Sequence, residues 1–124
     1  MSATSSFSQR IRPYVDRELS QARQREVQGD PGGAFVHLQR AHILGQASTR
    51  EHVRTHVRML LWGIRQRKSR EVVGQALRII GAATKTAFCL VPEGNTGGAN
   101  ISPFTRLPIP EDLAQLIAAA KQRN

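Results

Sequence analysis

The sequence contains one cysteine, Cys89, and this scarcity excludes two kinds of site. A lone thiol cannot close an internal disulfide, and it has no second thiol with which to form a CxxC metal site. We therefore expect a fold without covalent cross-links, which suits a reducing compartment. A length of 124 residues is enough to form one hydrophobic core without such cross-links, so we predict a single domain over residues 1–124.

Long hydrophobic runs are also missing. No apolar stretch approaches the roughly 20 residues that cross a bilayer. The serine-rich start, Met1–Arg10, has no continuous hydrophobic segment of the kind found in a secretory signal. These absences predict no membrane span and no signal peptide, and therefore a cytoplasmic protein.

Acidic residues are few, at 9 against 18 lysines and arginines, and the net charge is +9. We find no carboxylate pair suited to glycoside hydrolysis and no Ser-His-Asp or Cys-His arrangement, so we do not expect an enzyme. The positive charge favours polyanions, although a solvated arginine-rich surface is the simpler interpretation. Arg50, Arg54 and Arg58 recur every four residues, which would place them along one side of a helix. They could bind nucleic acid or an acidic protein, and this is our alternative functional hypothesis.

Aromatic residues make up 5% of the chain, so the core must consist mainly of leucine, isoleucine, valine and alanine, which favours packed helices. Apolar residues recur every three or four positions in five segments, as they do on the buried face of a helix. The segments are about 13–28, 31–45, 49–67, 69–87 and a short last one from residue 110. Residues 1–9 are expected to be frayed, and the fourth helix, apolar over a wide arc, is expected to be the most buried.

Local signals support these boundaries. Gly29 suits the left-handed stop of the first helix, and Asp30 followed by Pro31 is typical of the start of the next. Ser48 and Glu51 have the spacing of a capping box. Residues 92–110 are rich in glycine, asparagine and proline and predict a long loop. The predicted fold is thus all-α: an antiparallel bundle of four main helices plus a short C-terminal helix, with the Gly/Asn-rich loop between helices four and five.

All four histidines fall in helices two and three, which a tight turn would make antiparallel. Residues at the same level of such a hairpin have numbers that sum to twice the midpoint of the turn. The turn is centred between Gln46 and Ala47, so level residues have numbers that sum to about 93. This predicts two cross-helix pairs, His42 with His52 and His37 with His56.

His52 and His56 are also four residues apart, which places both imidazoles on one face of a helix. The predicted metal ligands are therefore His42, His52 and His56, with His37 in an outer or alternative position. Met59 or Glu51 could complete the coordination sphere, and neutral imidazoles suit zinc, copper, nickel or iron. Four core histidines hydrogen-bonded to one another and to the backbone would explain the same pattern without a metal.

Several motifs lie in order along most of the chain. They are Arg12-Pro13-Tyr14; Ala34-Phe35-x-His37-Leu38-x-Arg40-Ala41-His42-x-Leu44-Gly45-Gln46; His52-x-x-x-His56-x-x-Met59-Leu60; Gly81-Ala82-Ala83-Thr84-Lys85-Thr86; and Val91-Pro92-x-Gly94-Asn95-Thr96-Gly97-Gly98. Together they resemble an uncharacterised bacterial family catalogued as domain of unknown function 3703. The resemblance implies a small helical protein and supplies no activity. Some members are encoded near heavy-metal-resistance genes, which by resemblance favours the metal hypothesis.

Overall fold

The computed structural model describes residues 5–82, 96–99 and 107–122. The protein is all-α: the described residues form five helices that pack against one another, and they contain no strand. The helices are α1 (Phe7–Val27), α2 (Pro31–Gly45), α3 (Thr49–Arg65), α4 (Ser69–Ala82) and α5 (Glu111–Lys121). None of them is long and apolar enough to cross a membrane.

Helix α1 begins at Phe7, six residues before the predicted start, so the expectation of fraying is wrong for residues 7–9. The reason is a capping box: Ser6 Oγ accepts from the Gln9 amide at 3.2 Å, and Gln9 Oε1 accepts from the Ser6 amide at 2.8 Å. Phe7 also packs against the core. These contacts hold an extra helical segment, and Pro13, which the prediction placed at the start, lies inside the helix.

The two turns between the first three helices follow the sequence signals. Gly29 has a φ of 79°, and the Asp30 carboxylate accepts from the Gly33 amide at 2.9 Å to cap α2. At the next turn Ser48 Oγ accepts from the Glu51 amide at 3.3 Å, which is the first half of the expected capping box. The Glu51 carboxylate instead forms an ion pair with Arg54 at 3.0 Å.

The hydrophobic core lies mainly between α1 and α2, and α5 packs onto this pair. Helix α3 packs against α2, also contacts α1, and is the main partner of α4 among the described helices. Because α2 has neighbours on several sides, it buries seven residues, and α3 buries the same number. The arrangement places the α2–α3 contact in the interior.

The prediction that the fourth helix would be the most buried is wrong for the residues described. Among positions 69–80 only Gln75 is fully buried, whereas Val73, Leu77 and Ile80 are 61–68% exposed. The wide apolar arc of the sequence did not predict burial correctly, because α3 is the one main described helix that packs against α4. The predicted continuation of the fourth helix to Ala87 lies outside the described residues, and so do Cys89 and most of the predicted loop. Within that loop, residues 96–99 and 107–110 are described and are non-helical, as expected.

Candidate metal centre

Three histidines meet where α2 packs against α3. His42 lies in the last turn of α2, and His52 and His56 occupy successive turns of α3. The short turn between the helices brings these positions to the same region, as the numbering argument predicted for His42 and His52. All three side chains are shielded from solvent, at 1–2% exposed.

The three rings bring ligand nitrogens within 4.8 Å of one another. Nε2 of His52 is 3.1 Å from Nε2 of His42 and 3.1 Å from Nε2 of His56. The ring centroids are 4.6–4.9 Å apart in all three pairs. A tetrahedral ion with metal–nitrogen bonds of about 2.0–2.1 Å separates its ligand nitrogens by roughly 3.3 Å. Both distances from His52 are close to that value, so three ligand atoms of a metal site could be supplied with small adjustments.

A glutamine from α4 orients one of the rings. Oε1 of Gln75 is 2.6 Å from Nδ1 of His56, and Nε2 of Gln75 donates to the Gly97 carbonyl and to Glu71 Oε1, both at 2.7 Å. Because those two partners can only accept, the amide orientation of Gln75 is determined. His56 therefore donates from Nδ1, and in its neutral form its Nε2 carries the lone pair that a metal requires.

A short backbone segment, Thr96–Ala99, lies over the cluster. The Ala99 amide donates to both carboxylate oxygens of Glu71 at 3.0 Å, and the Gly97 carbonyl is held by Gln75. Gly97 has a φ of 82°, and a Cβ atom built on it would lie 2.6 Å from Cδ2 of His42. Glycine is required here both for the backbone conformation and for the close approach to the imidazole.

Gln75 and Glu71 were not identified from the sequence. A glutamine and a glutamate four residues apart are ordinary on a helix, and their relation to the histidines exists only because α4 packs against α3. The glycine-rich pattern around Gly97 was noticed, but nothing local indicates that it contacts a histidine on α2. These contacts depend on residues far apart in the chain.

Burial keeps the α3 histidines uncharged at neutral pH. Loss of solvent lowers the pKa of His52 from 6.5 to about 4. The pKa of His56 falls to about 3, first through burial and then through the nearby charge of His52, while the Gln75 hydrogen bond acts in the opposite direction. Neutral imidazole is the form that coordinates metal ions, so protons compete little with a metal at this site.

His37 lies apart from the three. Its Nδ1 is 2.7 Å from Oε2 of Glu18 on α1, and Arg40 Nε donates to the other oxygen of that carboxylate at 2.9 Å. The predicted pairing of His37 with His56 is therefore not formed, since His56 contacts Gln75 instead. Residues at one level of an antiparallel pair need not face each other, and this part of α2 directs His37 toward α1.

Glu51, one of the two suggested fourth ligands, is not part of the histidine group within the described chain. Among the described His, Cys, Asp and Glu side chains, the three histidines form the only group of three or more whose ligand atoms all lie within 4.8 Å of one another. Glu51 is buried but its carboxylate pairs with Arg54, and Met59 is fully buried in the hydrophobic core. Any ligand of a bound ion beyond these three histidines would have to come from outside this group.

The three arginines predicted to lie along one side of α3, Arg50, Arg54 and Arg58, do not share one environment. Arg54 forms ion pairs with Asp16 at 2.5 Å and with Glu51 at 3.0 Å, so its charge is largely compensated. Arg50 is exposed, and Arg58 lines a cleft between helices. The three cations therefore have three different surroundings and do not form a uniform surface.

Comparison with known proteins places the chain in a family without an assigned activity. Residues 9–117 match the sequence model of a family described as a protein of unknown function, DUF3703. No curated protein matches significantly, and no solved structure does either. The functional interpretation therefore depends on the site itself.

Proposed function

We propose that this chain, which belongs to the DUF3703 family, binds one transition-metal ion through His42, His52 and His56. The observation that carries the proposal is the convergence of three buried Nε2 atoms. In this proposal the protein serves as a metal-handling or metal-sensing accessory in the cytoplasm. His37 has at most an outer role, since Glu18 occupies its Nδ1.

Hydrogen bonding among the imidazoles explains the cluster less well than a metal does. A neutral imidazole has one ring proton, and that of His56 is directed to Gln75, so its Nε2 can only accept. Nε2 of His52 lies 3.1 Å from the Nε2 atoms of both other rings; it can donate to one of them or accept from His42, but not both, so neutral rings form at most one of these two hydrogen bonds. A cation bound by all three rings would satisfy the three lone pairs together.

The surrounding residues have the features of a supporting shell. Metal-bound histidines usually donate their second nitrogen to an oxygen acceptor, which orients the ring and fixes the tautomer. Gln75 provides this acceptor for His56, and it is itself fully buried. The Thr96–Ala99 segment limits access of solvent to His42 through the contact with Gly97.

Zinc, copper, nickel and iron all accept neutral imidazole ligands, so they are the ions to test. Three protein ligands leave at least one coordination position for water or an exchangeable ligand, as in sites that transfer a metal ion, sense it or use it in catalysis. The absence of a carboxylate from the described group disfavours magnesium and calcium, which prefer oxygen ligands.

The test is metal analysis of the full chain. The purified protein, and the metal-free protein after titration with each of the four ions, is expected to hold one equivalent of at least one ion. Replacing both α3 histidines, His52→Ala with His56→Ala, should abolish this binding. His37→Ala is the matched control and should retain it, because His37 lies outside the cluster.

A folded protein that binds none of the four ions, and whose thermal stability none of them changes, would overturn the proposal. Equal loss of binding in the His37→Ala control would also count against the assigned ligand set. Circular dichroism of each variant separates loss of ligands from loss of fold. Cobalt(II) absorption provides a second readout, since nitrogen coordination changes its visible spectrum.

A further inference from the structure

A cleft lies between α1, α2 and α3, and none of the three clustered histidines lines it. Its volume is about 410 Å³, which lies in the range of small-molecule sites. The buried side chains of Leu19, Ala22 and Leu38 line the cleft, together with the half-exposed Leu61. The apolar surface that an aliphatic or aromatic group could cover therefore lies mainly at Leu61 and at the exposed Val27, which also lines the cleft.

Three arginines also line this apolar cleft: Arg23, Arg58 and Arg65. Arg65 forms a two-pronged ion pair with Glu26, with contacts of 2.5 and 2.9 Å. Arg23 and Arg58 form no ion pair with any described residue. The cleft thus has two uncompensated cations beside a hydrophobic surface.

The positive charge at Arg58 is unfavourable as it stands. Burial lowers the pKa of Arg58, and the charges of Arg23, Arg54 and Arg65 lower it further, with only a weaker opposing effect of Asp16. An anion placed between Arg23 and Arg58 would reduce this repulsion. A carboxylate is well matched to guanidinium donors, which can bind it with two parallel hydrogen bonds.

We propose that this cleft binds a small organic carboxylate with an apolar body, whose head group contacts Arg58 and Arg23 and whose tail covers Leu61 and Val27. The observation that carries the proposal is the combination of uncompensated guanidinium groups and an apolar wall in one cleft. Nucleic acid fits less well, because phosphate contacts need no hydrophobic surface. The proposal does not depend on metal binding.

Calorimetric titration of the full chain with octanoate tests the inference, with octanol and acetate as probes for the tail and the head group alone. Octanoate is expected to bind in a saturable manner, and octanol and acetate at least about tenfold more weakly, since each lacks one of the two contacts. Arg58→Gln should weaken octanoate binding by about tenfold. Leu61→Ser should weaken it as well, and it leaves the charge unchanged.

Arg50→Gln is the matched control, because Arg50 is exposed on the same helix and does not line the cleft. Its affinity for octanoate should equal that of the unmodified chain. Absence of saturable octanoate binding at millimolar concentration would overturn the proposal. Equal weakening by Arg50→Gln and Arg58→Gln would also overturn it, since that result would indicate general attraction to a basic protein. Equal binding of acetate and octanoate would overturn it too, since charge alone would then account for the binding. If Arg58→Gln fails to fold, Arg23→Gln supplies the same comparison at an exposed position.

Discussion

Gln75 accepts a hydrogen bond from His56 at 2.6 Å and so links α4 to the candidate ligands on α3. The same amide donates to the Gly97 carbonyl at 2.7 Å and so connects the ring to the segment that lies over the cluster. One fully buried side chain therefore determines both the tautomer of a ligand and the position of its cover. A change at Gln75 should affect metal affinity even though Gln75 is not itself a ligand.

Gln75→Leu is expected to weaken metal binding by roughly 10–100-fold, the range typical of lost outer-shell partners. The leucine cannot accept the His56 proton, so the ring loses its orientation and the Gly97 carbonyl loses its donor. Competition with a chelating dye measures the affinity. Gln21→Leu, an exposed position on α1, is the control and should bind as the unmodified chain does. Unchanged affinity in Gln75→Leu would contradict the positioning role.

Gly97→Ala should lower the free energy of unfolding by about 1–2 kcal/mol or more, because the left-handed conformation disfavours a side chain. The Cβ atom would also lie 2.6 Å from the His42 ring. Urea denaturation measures the change. Gly32→Ala is a matched control: its Cβ would meet nothing within 4 Å, and alanine in a helix favours stability by about 0.5–1 kcal/mol. Opposite signs are expected for the two variants, and equal effects would argue against the contact with His42.

The metal-free protein should lose stability as the pH falls below about 6.5. The unfolded chain then takes up protons on His52 and His56, whereas burial holds the folded pKa values at about 4 and about 3. The free energy of unfolding should thus fall between pH 6.5 and 4 and change less above pH 7. Urea titrations at several pH values give the slope. His56→Gln removes one of the two groups and should reduce the slope, and an unchanged slope would contradict the buried, neutral state of His56.

Metal should stabilise the folded chain through its ligands. An ion that binds only the folded state adds about 2.7 kcal/mol when its free concentration is 100 times its dissociation constant. Thermal unfolding of chelator-treated protein, before and after the ion is restored, measures this gain. The gain should persist in His37→Ala and vanish in His52→Ala. Equal stabilisation of both variants would indicate binding at another position.

The ion pairs of Arg40 should contribute modestly to the docking of three helices. Arg40 on α2 contacts Glu18 on α1 and Asp112 on α5. Because the pairs are partly exposed, Arg40→Gln is expected to cost only about 1 kcal/mol. Urea denaturation at low and high salt tests this, since salt should reduce the difference between the variant and the unmodified chain. A salt-independent difference would indicate lost packing of the arginine stem instead.

Much of the helical fold was predictable because local interactions encode it. Asp30 and Ser48 accept hydrogen bonds from amides three residues later, so their side chains mark the starts of α2 and α3 within a few residues. The rule that residues at the same level of an antiparallel hairpin have numbers with a fixed sum placed His42 beside His52, because the turn between them is short. The same rule failed for His37, since it gives height along a helix and not the direction in which a side chain points.

The sequence by itself determined the helical periodicity, the caps of α2 and α3 and the presence of three histidines near one turn, because each depends on residues close in the chain. Only the tertiary structure decided that Gln75 and Gly97 contact that cluster, that Glu18 holds His37, and that α4 leaves apolar side chains exposed. The physical reason is that these contacts join residues about 20 or more positions apart, and the packing of whole helices sets which of their faces meet.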